Sequence, residues 1–266
     1  MRSILGSLLL PVAALVACGG PSTRAPSPAT PSTVVTVRTA DELVRAMHDR
    51  YAGSWYRTAT FVQRNTRYLA SGAADTSTWL EAMRVPGALR IDIEPLAQKN
   101  GILFARDSQF IIGGGQVTRS IASVHPLMVL GFDVYADPPE RTLTRIRSLG
   151  IDLSKLREDS WQGRPAYVVG ARAGDLRSKQ FWVDRERLVF VRMLQPDRDT
   201  TKSAEIRFNG YRKLGGGWIA PEVVFLTDGK PTFVERYEDI RVDPPLNDAL
   251  FDPRAWNVVP TWRTTR

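Results

Sequence analysis

Few residues in this chain of 266 could do chemistry, and those few are not spaced for it. There are two histidines, His48 and His125. Neither stands in an HExxH helix or at metal-ligand spacing. His48 falls near the polar face of a first helix, and His125 precedes Pro126 at a helix start, so each reads as a surface or capping residue. No GxSxG nucleophile elbow exists. Gly113-Gly114-Gly115 lacks the Lys-Ser/Thr that completes a phosphate-binding loop. Asp184 and Glu186 stand in Asp184-Arg185-Glu186-Arg187, between two apolar runs, where serving a turn is the expectation. The sequence therefore gives no grounds to expect an enzyme, a metal site or a cofactor.

The remaining reactive group is Cys18, the only cysteine. Arg2 and the apolar Ile4 to Val16 before it form a secretory signal, too short for a stable membrane span. That stretch ends in Leu15-Val16-Ala17-Cys18, which resembles the lipobox of bacterial lipoproteins. The resemblance implies cleavage before Cys18 and diacylation of its thiol, and so a membrane partner reached through lipid attachment at Cys18. An ordinary signal peptide cut nearby is the alternative. Several acyl chains anchor durably where one is marginal. The organisation expected is a signal at 1–17, a disordered Pro/Ser/Thr-rich tether at 18–33 and one domain at 34–266. With no second cysteine, that domain has no disulfide and depends on its core.

The formal charge of +8 comes from scattered arginines, as in Leu89-Arg90-Ile91. Without a dense basic run it marks solvated strand faces, not a nucleic-acid site. Val34 to Val37 fits a short leading strand. Thr39-Ala40-Asp41-Glu42 is a capping box, and Leu43, Val44, Met47 and Tyr51 then share one helix face, with Gly53 as the end. Strands are expected at Tyr56–Leu69, Thr76–Val85, from Gly87, at Ile102–Arg106 and at Gln109–Ile112. From Gly87, Leu89, Ile91 and Ile93 point one way, and Arg90, Asp92 and Glu94 point to a wet face. Asn100-Gly101 reads as a turn. Pro126–Tyr135, PLMVLGFDVY, is almost wholly apolar and reads as a short helix or loop buried on the sheet. Asp137 reads as the N-cap of a second helix whose buried face is Leu143, Ile146 and Leu149. Strands resume at Leu156–Trp161, Ala166–Ala171, Ala204–Leu214, Trp218–Thr227 and Thr232–Val242. Between them, Phe181-Trp182-Val183 and Leu188-Val189-Phe190-Val191 flank a charged turn as a hairpin with apolar bulk on both faces. Such a hairpin suits either a tight core or one wall of a cavity.

This order of elements resembles the outer-membrane lipoprotein-sorting proteins of the LolA and LolB superfamily. The similar residues are Phe181-Trp182-Val183-Asp184 followed by Leu188-Val189, the Tyr211–Val224 hairpin with its glycine-rich turn and Trp218, and the closing Leu250-Phe251-Asp252-Pro253. The likeness covers most of residues 39–253. It implies an α+β fold, mainly antiparallel β: a strongly curved, incomplete β-barrel with helices covering the concave face. It also implies an apolar cavity for acyl chains and carries over no catalytic residues. The soluble carrier of that family is not lipidated, so Cys18 makes this chain more similar to the anchored acceptor. The candidate cavity residues are Leu89, Ile91, Ile93, Phe104 and Phe181 on the sheet, with their inward faces left open, and Leu127, Leu130 and Phe132 on the apolar insert. The expected function is a membrane-anchored lipoprotein of the bacterial envelope, periplasm-facing and at the outer membrane. Its expected ligand is the acyl chain of a lipid or an acylated lipoprotein, and its expected role is in lipid or lipoprotein trafficking. The alternative is an anchored interaction or sensor module that binds an envelope protein partner.

Overall fold

Period-two apolar patterning and short turns build one long antiparallel sheet. The computed structural model describes residues 36–264. The expected signal, Cys18 and the tether at 18–33 lie outside the described residues. So do Val34 and Val35 of the expected leading strand; Thr36 and Val37 are not in a strand.

Helix α1 (Ala40–Tyr51) forms where its cap and stripe require. Thr39 Oγ1 accepts from the Glu42 amide at 3.1 Å, and the Glu42 carboxylate accepts from the Arg38 amide at 2.6 Å. Leu43, Val44, Met47 and Tyr51 are all buried. A first meander follows: β1 (Thr58–Tyr68), β2 (Ala74–Arg84), β3 (Ala88–Ile93), β4 (Asn100–Ala105), β5 (Ser108–Gly113) and β6 (Gln116–Ala122). The apolar insert is helical, with α2 (Pro126–Gly131) and a 3₁₀ turn at Asp133–Tyr135. Helix α3 (Pro139–Ser148) buries Leu143 and Ile146. The second meander is β7 (Leu156–Trp161), β8 (Arg164–Val169), β9 (Gln180–Asp184), β10 (Phe190–Pro196) and β11 (Ser203–Asn209). A small ribbon, β12 (Arg212–Leu214) with β13 (Gly217–Ile219), leads to β14 (Glu222–Thr227) and β15 (Lys230–Val242).

Thirteen of these strands make one sheet in the order β6-β5-β4-β3-β2-β1-β15-β14-β11-β10-β9-β8-β7. The long β1 and β15 join the two meanders, pairing Gln63 with Tyr237 and Asn65 with Glu235. The sheet does not close, and the fold is an incomplete curved barrel of the mainly antiparallel α+β kind. Among the described residues no helix is long and apolar enough to cross a membrane.

Several local readings change. Asn100-Gly101 is not a turn but the start of β4; the turn lies at Leu96–Gln98, with Lys99 left-handed. Gly101 is glycine because a Cβ there would stand 2.2 Å from the Ile91 carbonyl oxygen and 2.4 Å from the Trp256 ring. The strands expected at Ala204–Leu214 and Trp218–Thr227 each break, and their inner ends form the β12–β13 ribbon. There Gly216 passes so near Ser54 that a Cβ would meet its carbonyl oxygen at 1.8 Å. Strand β6 has no expected counterpart, because its residues are mostly exposed and carry little apolar alternation. Asp137 is not the N-cap of α3: Pro138 takes that position, and Asp137 is buried against Arg145.

The face of β3 read as wet is covered. The C-terminal segment lays Leu250, Phe251 and Trp256 against Ala82, Ala88, Leu103, Ala105 and Ile112 as a second core. Arg90 is 2% exposed, held by two 2.9 Å bonds to Asp92, with its guanidinium 4.0 Å from the Trp256 ring centre. The charge is tolerated because both its partner and an aromatic face are supplied.

Candidate apolar cavity

The cavity arises from cross-strand rows. Antiparallel pairing places residues of one parity side by side on one face. One row runs Ile102, Ile91, Glu81, Phe61 across β4, β3, β2 and β1. The next runs Ile93, Trp79, Gln63, Tyr237 across β3, β2, β1 and β15. Leu89 pairs with Phe104 at the far end. The insert crosses above, and Leu127, Met128 and Phe132 face these rows across a cavity of about 240 Å³. Phe208, Phe225 and Glu235 complete the far wall.

Of the residues proposed from sequence, Leu89, Ile91, Phe104, Leu127 and Phe132 line this space. Ile93, Phe181 and Leu130 do not. Ile93 is half-buried against the main core. Phe181 and Leu130 are both 0% exposed. For Phe181 and Leu130 the reason is that the concave face is filled unevenly. Over β9 and β10, Tyr51, Trp55 and Tyr135 pack as an aromatic block, with Trp55 and Tyr135 stacked at 3.8 Å. Tyr135 Oη accepts from the Phe190 amide at 3.2 Å, and Tyr51 Oη donates to the Arg187 carbonyl. That half is a tight core, so the Phe181 hairpin is a core hairpin. The Trp182 face is covered too, by Arg157, Arg192 and Trp161. Asp184 serves the turn, accepting from the Glu186 and Arg187 amides at 2.9 Å each.

The insert is tied down by charge. Arg145 reaches Asp133 at 2.7 Å, Asp137 at 3.1 Å and Asp107 at 2.9 Å. Asp133 also accepts from the Gly87 amide at 2.9 Å, linking the insert to the turn between β2 and β3. Burial pushes the Asp133 carboxyl up to about 6, against the lowering pull of Arg145 and that amide.

The cavity is not purely apolar. Gln63, Glu81, Glu235, Tyr237 and His125 line it as well. Their polar character was not anticipated from sequence, where Glu81 reads as one charge among many on a strand. Burial pushes Glu81 well above the usual carboxylate range, and the neighbouring Glu235 charge pushes it further. Burial raises Glu235 to about 7, although Tyr237 donates to it at 2.8 Å. His125 caps α2 by accepting from the Met128 amide at 3.3 Å. Burial lowers its imidazole to about 4, so it is neutral near pH 7. The arrangement offers a desolvated alkyl slot with a few polar groups at one wall, the usual form of a small-ligand site. Among the described residues, no group of three or more His, Cys, Asp or Glu side chains is placed to hold a metal ion.

No family model and no curated protein matches the chain. Solved structures do. A domain named for outer membrane lipoprotein sorting from Vibrio parahaemolyticus aligns with TM-score 0.53 and 11% identity, over 82% of this chain and 97% of that one. A DUF1329 family protein from Desulfovibrio piger aligns with TM-score 0.52 and 15% identity, over 82% and 97%. A LolA superfamily protein from Nitrosomonas europaea aligns with TM-score 0.50 and 12% identity, over 81% and 98%. At these identities the likeness is one of fold: this chain has the incomplete barrel seen in lipoprotein-sorting domains and the LolA superfamily.

Proposed function

We propose that this protein is a membrane-anchored lipoprotein of the bacterial envelope that takes up an alkyl or acyl chain of a lipid or lipoprotein and acts in lipid or lipoprotein trafficking. The observation that carries the reading is the cavity between sheet and insert, lined by Leu89, Ile91, Phe104, Leu127 and Phe132. Moving methylenes from water into such a space yields ~0.8 kcal/mol each. At about 240 Å³ the space is smaller than the ~300–1,000 Å³ of drug-sized sites, which suits a segment of one chain. The similarity to a lipoprotein-sorting domain and a LolA superfamily protein supports the same use. Anchoring through Cys18 at the outer membrane, facing the periplasm, belongs to this proposal.

The test is equilibrium binding of a neutral probe, a pyrene-tagged fatty alcohol, followed by fluorescence. Saturable binding at one site per protein is expected. Absence of saturable binding would remove the carrier reading and leave the interaction-module reading in its place.

A further inference from the structure

Six aspartates and glutamates are buried among the described residues: Glu81, Asp92, Asp133, Asp137, Asp184 and Glu205. Five are met by arginine: Asp92 by Arg90, Asp133 and Asp137 by Arg145, Asp184 by Arg164 and Glu205 by Arg192. Glu81 is the exception. It is 4% exposed, lines the cavity, and has no hydrogen-bond or ion-pair partner among the described residues. A second carboxylate, Glu235, lines the same space and interacts electrostatically with it. No arginine or lysine lines this cavity, in a chain that has 36 of them.

An unpartnered acid within electrostatic reach of a second acid is costly in a desolvated site unless something cationic joins it or a proton neutralises it. The walls around Glu81 favour a cation. Phe61 stands directly across β1 from it, with the Tyr237 ring 4.4 Å from Phe61. Trp79 lies two residues along the same strand face. Aromatic faces with nearby carboxylates are the chemistry that recognises alkylammonium groups. Ile91 pairs across from Glu81, and Leu89 and Phe104 continue the apolar path away from the acids.

We propose that the cavity selects amphiphiles that carry an ammonium group on an alkyl chain, the ammonium lying between Glu81 and Glu235 and the chain along Ile91, Leu89 and Phe104. This rests on the reading of the cavity as an alkyl-chain site. A neutral alcohol keeps the chain contribution but lacks the charge. A fatty carboxylate meets two acids with no arginine or lysine to balance it, so it is disfavoured. The raised affinities of Glu81 and Glu235 for protons fit the same account, since a proton neutralises the same carboxylates that a bound cation would.

The test is displacement of the pyrene-tagged fatty alcohol from the full-length protein at pH 7.5 by decylamine, decanol and decanoate, each below its micelle concentration. Decylamine is expected to displace the probe at a concentration at least tenfold lower than decanol, and decanoate to be the weakest. In the double variant Glu81→Gln/Glu235→Gln the amine and alcohol are expected to converge within about threefold. Lysophosphatidylethanolamine in place of decylamine separates two sources: a potency above decanol's that is lost in the double variant assigns a lipid amine, and a potency no greater than decanol's assigns a free alkylamine. Equal displacement by amine and alcohol in the wild type, or a preference for decanoate, would overturn the proposal while leaving the alkyl-chain reading intact. An amine preference that persists in the double variant would overturn it as well. If the probe itself does not bind, the alkyl-chain reading fails and this proposal fails with it. The wild-type ranking does not depend on the variant folding.

Discussion

Arg145 of α3 donates to Asp133 of the apolar insert at 2.7 Å, and Asp133 is 1% exposed. The same arginine holds Asp137 and, on the β4–β5 turn, Asp107. One guanidinium thereby fixes the insert, α3 and the rim of the sheet around the cavity. Arg145→Met would leave Asp133 and Asp137 without their shared arginine inside the protein. Removing one partner of such a buried group costs ~3–5 kcal/mol. Urea unfolding should show a loss of that order; a loss below ~1 kcal/mol would mean the insert is held by packing alone.

The carboxylate at Glu235 makes stability depend on pH in a known direction. Its folded pKa, about 7, lies above its ordinary value of 4.5. The stability it contributes is therefore fully present below about 4.5 and is lost as pH rises through about 7. His125 acts oppositely: its folded pKa of about 4 lies below the ordinary 6.5, so its contribution is lost as pH falls. Glu81 and Tyr237 are the other titratable groups facing Glu235, and burial strengthens the hold of both on their protons. Comparing Glu235→Gln with wild type cancels the His125 contribution. The variant's stability relative to wild type should rise between about pH 4.5 and about 7 and then level off. A difference that stays flat across that window would show that Glu235 is not desolvated in solution.

Filling the cavity should block uptake without unfolding the protein. Leu127 is half-buried on α2 and lines the space, whereas Leu130 on the same helix is 0% exposed in the core. Leu127→Trp is expected to weaken binding of the pyrene-tagged alcohol at least tenfold, with a stability change under ~1.5 kcal/mol. Leu130→Asp places an uncompensated charge in a filled core and should cost several kcal/mol. If Leu127→Trp binds the probe as well as wild type, the ligand lies elsewhere.

Cys18 is testable without any structure. If it is acylated, wild-type protein partitions into membranes and mass spectrometry finds a lipid-modified N-terminal cysteine. Cys18→Ser should then remain unprocessed. A mature wild-type N-terminus that is free of lipid would refute the anchor.

Local features were legible in the sequence because their causes are local. The capping box at Thr39–Glu42, the stripe Leu43, Val44, Met47 and Tyr51, and the turn at Asp184 depend on neighbours within one helical turn or one hairpin. Alternation put Leu89 and Ile91 on one face, and that face lines the cavity. What alternation could not supply was the cover on each face. Arg90 and Asp92 read as solvated, yet a segment more than 150 positions later brings Trp256 over them. Phe181 and Leu130 suit a cavity by residue type, but Tyr51, Trp55 and Tyr135 fill that half of the concave face. The polar wall was hidden for the same reason. Glu81 and Glu235 lie on strands β2 and β15, which become near neighbours only because β1 pairs with both. Strand periodicity tells which side chains travel together; only the pairing of strands distant in sequence decides what they face.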